Sequence, residues 1–198
     1  MKNIGLDLST ACSGYSIFEN GKLINYGQIK PKTTLSTIGK IEYIVKEFVN
    51  IFEKEDLTDA RFTIEDIFLG NFAGKNQVLG FAGLGRISGA IMAALFLDLQ
   101  KSEKDVILIK AISARPKVGL KGNCQKAEVQ VWVLDKFFNK DVTEYNALID
   151  AVIAKKGVGD IDHKTYKKRM EEISKIIEKE TGITEDVADA ILLGAIGE

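Results

Sequence analysis

NIGLDLSTACSGYSIFENGKLINYGQI, residues 3–29, decides the fold. In its first part Ile4, Leu6 and Leu8 alternate with Gly5, Asp7 and Ser9, the period of a strand with two different faces. GYSIFE continues as a second strand. ENGK (Glu19 to Lys22) follows, and its Asn-Gly pair favours a tight two-residue hairpin. LINYGQI supplies a third strand before Pro31 ends the run. The stretch predicts a three-stranded antiparallel meander.

Outward from it, the pattern changes to helix and strand in alternation. From Leu35 to Lys54, Ile38, Ile41, Ile44, Val45, Phe48, Ile51 and Phe52 recur at helical spacing. ARFTIEDIF (60–68) reads as a strand with Phe62 and Ile64 on one face and Thr63 and Glu65 on the other. The loop LGNFAGKN leads into a second helix, roughly Gln77 to Leu99, and DVILIKAI (105–112) is a fifth strand. Gly80, Gly83, Gly85 and Gly89 in that helix cost propensity unless another backbone packs very close. Strand and helix alternating after a meander imply an α/β fold with a mixed five-stranded sheet, flanked by helices. Beyond it the chain is mostly helical: Lys126 to Phe138, Glu144 to Ala154, the charged Lys164 to Glu180, and a last helix from about Thr184, with KKGVGDID (155–162) as an exposed hinge.

Composition narrows the class. At 198 residues, 45% hydrophobic and 28% charged, the chain has the make-up of an ordinary soluble globular domain. A net charge of −1 means that any polyanion must be met by a local basic patch. Cys12 and Cys124, without metal-ligand or redox spacing, read as reduced thiols with packing roles in a cytoplasmic protein. The N-terminus lacks the apolar run of a signal peptide. Ile87 to Leu97, interrupted by Ser88 and Gly89, reads as too short for a membrane span.

Acids stand where hydrophobic residues would be expected. Asp7 lies within the first strand and Glu65 in the strand that would lie beside it. In the closing ITEDVADAILLGAIGE (183–198), Asp189 interrupts an apolar helix and Asp186 precedes it by nearly one turn. Each has a plain alternative: Asp7 as a turn or edge residue, Glu65-Asp66 as a charged strand end, Asp186 as a first-turn acid after an N-cap at Thr184. Asp189 fits that alternative poorly, and Glu185 fits it best. Converging carboxylates raise one another's pKa and destabilise a fold unless a cation sits among them. Mg²⁺ is a hard ion that takes such oxygen ligands.

GLDLSTACSGYSIF, FTIEDIF, the helix containing LGFAGLGRISGAI and EDVADAILLG together resemble RuvC-type Holliday junction resolvases of the RNase H-like (retroviral integrase) superfamily. The similarity spans most of 1–135 and then 184–196. It implies one RNase H-like nuclease domain over 1–198, with 139–183 as a helical insertion and so a phage-type or divergent member. It implies that Asp7, Glu65, Asp186 and Asp189 hold two Mg²⁺ ions, with Mn²⁺ as a substitute. Phosphodiester hydrolysis would then leave a 5′-phosphate and a 3′-hydroxyl. Lys126 would steady the scissile phosphate, and Phe68 would stack on junction bases.

KAISARPKVGLKGNCQKAEV (110–129) is similar to the family's basic segment. Lys75, Arg115, Lys117, Lys121 and Lys126 are the candidate DNA contacts, and a solvated lysine-rich loop is the alternative. The partners implied are branched DNA, chiefly four-way junctions, and a second copy of the chain, with no membrane. The two-fold symmetry of a junction asks for a homodimer, and the glycine-rich helix 77–97 is the candidate surface. HKTYKKRMEEISKIIEKE reads first as a solvated helix, with a DNA-facing arm or a partner helix as alternatives. His163 receives no catalytic role and Trp132 reads as core. GLDLSTACSGYSIF also resembles the phosphate-binding hairpin of actin-like ATPases and sugar kinases. The competing functions are therefore a nucleotide-binding phosphotransferase domain and a non-catalytic junction-binding protein.

Overall fold

In the computed structural model the meander forms as its alternation predicts: β1 (Lys2–Asp7), β2 (Ser13–Glu19) and β3 (Lys22–Ile29). Residues 1–57, 59–66 and 75–197 are described, with the side chains of 75–79 outside that description. Phe68 lies outside the described residues, as does the side chain of Lys75. The Asn20-Gly21 turn has φ of 48° and 79°, the left-handed pair that a tight hairpin with right-handed twist requires. α1 (Thr37–Phe52) starts where the Ser36 hydroxyl accepts a hydrogen bond from the Gly39 amide at 3.1 Å. β4 (Arg61–Glu65), α2 (Lys75–Leu97), β5 (Val106–Ile109) and α3 (Ala111–Lys117) follow. Then come α4 (Lys126–Phe138), α5 (Thr143–Gly157), α6 (His163–Thr181) and α7 (Glu185–Ile196).

The sheet order is β3-β2-β1-β4-β5. β1 pairs antiparallel with β2 and parallel with β4, and β4 pairs parallel with β5. This is the mixed sheet expected, with β1 in the middle and covered on both faces. Ile4, Leu6, Ile17, Phe62 and Ile64 point to one side and pack with Ile44, Phe48 and Phe52 of α1 and Ile87, Ile91 and Leu95 of α2. Phe18 and Ile109 point to the other, where Val187, Ile191 and Leu192 of α7 meet Val129 and Val133 of α4 and Met170 and Ile173 of α6. Each such side chain, fully buried, stabilises by about 1.5–3 kcal/mol.

α7 lies almost on the sheet backbone. A Cβ at Gly5 would run into the Ala190 carbonyl and the Gly194 amide, and one at Gly14 into the Asp186 carbonyl. Glycine at these positions is what lets helix and strands approach so closely. Ser16 Oγ donates to the Ala190 carbonyl at 2.7 Å, and Gln130 Nε2 donates to the Ile183 carbonyl at 2.8 Å just before the helix starts.

The structure departs from the sequence reading at several points. The close backbone approach expected for the glycines of α2 occurs instead at Gly5 and Gly14: Gly80, Gly85 and Gly89 face open space among the described residues. α2 has the length expected, but its apolar span extends beyond the Ile87–Leu97 stretch read as too short for a membrane. Gly80–Leu97 is long and apolar enough by length and composition to cross a membrane, and 33% of it is buried inside the chain. The buried part includes the Ile87–Ile91–Leu95 stripe, with Gly83 and Ser88 beside it. α3, a seven-residue helix containing Pro116, replaces part of the presumed fifth strand and basic loop. Cys12 lies in the β1–β2 connection, with its thiol 3.3 Å from Gln28 Oε1.

Candidate metal and nucleic-acid site

Asp7 is the last residue of β1 and Glu65 the last of β4. The parallel register pairs Leu6 with Ile64, so the two acids stand one step further along neighbouring strands. Ile4 and Leu6 fill the core beneath α1 and α2, and the two-residue period turns Asp7 to the opposite face, towards α7. There the Thr184 hydroxyl caps α7 by accepting from the Val187 amide at 3.2 Å. Asp186 falls in the first turn and Asp189 nearly a turn later. Asp7, Glu65, Asp186 and Asp189 line one pocket, together with Ser9, Asp66, Lys110, Arg115 and Lys126. The strands, the helix and the basic segment thus bring all four predicted acids to one place.

Burial pushes the Asp7 carboxyl well above its ordinary range, and Asp189 and Glu65 push it further. Glu65 is raised by burial and by Asp189, offset in part by its hydrogen bond with Asp7. Burial raises Asp189 against the pull of Lys126 and Arg115. The Lys126 ammonium stands 3.2 Å from Glu185 Oε2 and 3.6 Å from Asp189 Oδ2. Burial alone would lower its pKa, but Asp189, Glu185 and Asp7 hold it above the usual lysine value. The Cys12 thiol is pushed up to about 12, first by burial and then by Asp186, so it is no nucleophile near neutral pH.

Among the described residues, no three carboxylate, imidazole or thiol groups already converge as ligands on one point. Asp189 reaches Lys126 and Arg115 instead, while Asp7 and Glu65 share a hydrogen bond. The donor chemistry nevertheless fits a hard divalent cation. All four predicted ligands offer oxygen, and five carboxyl groups face three basic ones in the pocket. A dication would supply the missing positive charge.

The basic residues are dispersed. Arg115 turns inward: Nη1 donates to the Cys124 carbonyl at 2.7 Å and Nη2 lies 4.0 Å from Asp189 Oδ1. It fastens the loop before α4 to the acids rather than standing on the surface. Lys117 is exposed at the end of α3. Lys121 lines a separate groove with Trp132, Asn146 and Ile149. Two residues have more to do than the sequence suggested. Glu185 holds Lys126 and accepts from Ser174 Oγ at 2.9 Å, joining α4, α6 and α7. Its signal was the four-residue spacing to Asp189, which sets both on one helix face. Asp66 adds a fifth acid to the pocket, signalled only by its place after Glu65.

The crowding has a measurable cost. Because the folded state raises the Asp7 pKa, its contribution to stability is full below the ordinary aspartate value of about 3.9 and is lost as pH rises through the raised one. Asp7→Asn is therefore expected to be more stable than the wild type at pH 7 in EDTA by about 1–2 kcal/mol. That corresponds to roughly 2–4 °C in Tm per kcal/mol for a chain of this size. The difference should close below about pH 4. A variant less stable at pH 7 would contradict the crowding.

No protein-family model matches the chain, and no curated protein matches it in sequence. Solved structures do match. Thermus thermophilus RuvC in complex with Holliday junction substrate aligns over 99% of this chain and 91% of its own, with 11% identity and a TM-score of 0.57. A second Thermus thermophilus RuvC structure aligns over 99% and 92%, with 10% identity and a TM-score of 0.54. Ethanolamine utilization protein EutJ from Carboxydothermus hydrogenoformans covers 99% and 89%, with 12% identity and a TM-score of 0.43. The chain has an RNase H-like α/β fold. Within that class its fold is RuvC-like, at an identity that marks a divergent sequence.

Proposed function

We propose that the protein is a divalent-metal-dependent, structure-selective endodeoxyribonuclease that cleaves branched DNA, four-way junctions above all. One observation carries the reading: Asp7, Glu65, Asp186 and Asp189, from two strands and one helix, share a pocket with Lys126 on a RuvC-like scaffold. Mg²⁺ bound there would activate water and stabilise the leaving oxygen of a phosphodiester. Asp7 and Glu65 form the rigid side of that binding site, because both end paired central strands. Asp186 and Asp189 close it from the α7 side, and Glu185 holds the Lys126 amine close to Asp189, where it meets the charge of the scissile phosphate.

The test is incubation with a synthetic four-way junction, a flap and a linear duplex, in Mg²⁺ and in EDTA. Symmetric nicks in the junction, with 5′-phosphate ends and only in Mg²⁺, are the expected result. Nucleotide hydrolysis without any DNA cleavage would overturn the reading.

Two-fold symmetric cutting calls for two copies of the site. The outward face of α2 presents Gly85, Gly89, Ala93, Phe96 and Leu97, with Leu97 78% exposed. This is the surface proposed to pair with a second copy. Wild type is expected to sediment as a dimer of the 21.8 kDa chain, and Ala93→Glu as a folded monomer that nicks junctions poorly. A monomeric wild type would rule this surface out.

A further inference from the structure

We propose that the lysine face of α6 is a second DNA-contacting surface, one that holds the phosphate backbone of a duplex arm outside the acidic pocket. This rests on the nuclease reading and extends it to the segment 139–183.

α6 buries Tyr166, Met170, Ile173, Ser174 and Ile177. At 3.6 residues per turn, Lys164, Lys167, Lys168 and Lys175 then fall within about 100° of arc on the adjoining side, and all four are exposed. Lys167 and Lys175 line a groove whose far wall is Gln125, Lys126 and Glu185. Lys126 also lines the acidic pocket, so groove and pocket adjoin. The Ser174–Glu185 hydrogen bond at 2.9 Å fixes α6 to α7 at that junction, which holds the lysines in a set relation to the acids.

The charge on this face has little use within the chain. Lys164, Lys167 and Lys175 form no ion pair among the described residues, and Lys168 only a 4.0 Å exposed contact with Glu172. An exposed pair of that kind contributes little. Asp162, the acid nearest the start of the helix, is engaged as its N-cap and accepts from the Thr165 amide at 2.6 Å. Glu171, which lines the groove, and Glu178 fall within the same arc, so the face carries four lysines against two acids. Lys164 with Lys167 and Lys168 are like charges at three- and four-residue spacing, which weakens a helix by a few tenths of a kcal/mol per pair. A polyanion offsets that repulsion. The adjacency to Lys126 favours nucleic acid over an acidic protein, because a strand whose scissile phosphate reaches Lys126 carries its flanking phosphates into the groove. From Lys164 to Lys175 the helix rises roughly 16 Å, about the rise of five nucleotides of one strand.

The test compares wild type with the triple variant Lys164→Gln, Lys167→Gln, Lys175→Gln, binding four-way junctions with long and with truncated arms across a salt series in Ca²⁺ or EDTA. For long arms the variant is expected to bind roughly 10- to 100-fold more weakly near 0.1 M salt, with the slope of log K against log salt reduced by about 2–3. For truncated arms the two proteins should bind alike, and at saturating protein in Mg²⁺ they should nick alike. An unchanged slope and affinity on long arms, with wild type binding junctions normally, would overturn this proposal and leave the nuclease reading standing; an acidic partner would then be the occupant to pursue. A wild type that binds no DNA of any form would overturn both. Thermal unfolding of the variant at or slightly above the wild-type temperature confirms that only surface charge was altered.

Discussion

Asp189→Asn is expected to nick a four-way junction at least about 10³-fold more slowly than wild type in Mg²⁺, while binding the junction within a few-fold. The reason is its position. Asp189 is nearly buried and faces Asp7 and Glu65 from across the pocket, with Lys126 and Arg115 both turned towards it. The amide keeps the volume and one oxygen but removes the charge that a divalent ion needs. Asp7→Asn should lose as much, and the double variant little more than either alone, since residues acting on one centre are not additive. Asp186, in the first turn of α7 where an acid also serves the helix dipole, should show a smaller loss. Glu185→Gln should fall between these and wild type, because it acts on Lys126. Gel assays of single-turnover nicking distinguish the cases. An Asp189→Asn protein that cuts within tenfold of wild type would sink the site as described.

The order of losses follows what the sequence carries and what it does not. Asp7 and Glu65 could be placed on one sheet face by strand parity, since the period of two leaves no freedom once Ile4, Leu6, Phe62 and Ile64 are assigned to the core. The meander followed from its alternation and from Asn20-Gly21. α7 was marked by the misfit of Asp189 in an apolar helix. Other features depend on tertiary approach and leave no periodic trace. Arg115 was basic in a basic run, and only the folded chain sets its guanidinium against the Cys124 carbonyl. Lys121 shares that run yet lines another groove. α3 leaves no clear signal in the sequence, because seven residues with Pro116 give too little periodicity. The glycines misled for the same reason. A glycine in sequence reports a missing side chain, and only the fold shows whether another backbone, as at Gly14, or open space, as at Gly89, takes up the room.

Gly14→Ala turns that distinction into the second large effect. Gly14 pairs directly with Asp7 across β1 and β2, and its α-carbon faces the first turn of α7. An added Cβ would overlap the Asp186 carbonyl and come within 3.1 Å of the Val187 amide. Both are backbone atoms of a capped helix and have no rotamer by which to move aside. α7 must therefore lift from the sheet at the end that carries its two acids. Overpacking of this kind costs about 1–3 kcal/mol, and more where backbone is the obstacle. That predicts a Tm lower by roughly 2–4 °C per kcal/mol. The folded fraction should also cut about 10²-fold more slowly, since a shift near 1 Å at a reacting centre has that scale of effect. Gly157→Ala is the matched control: Gly157 ends α5 with nothing within 4 Å of the added carbon. It should be neutral or stabilise by about 0.4–1 kcal/mol, with unchanged nicking. Differential scanning fluorimetry and single-turnover nicking on both variants give the answer. If Gly14→Ala matches the control in both, α7 does not lie on the sheet as closely as described, and Asp186 and Asp189 lose the support that holds them opposite Asp7.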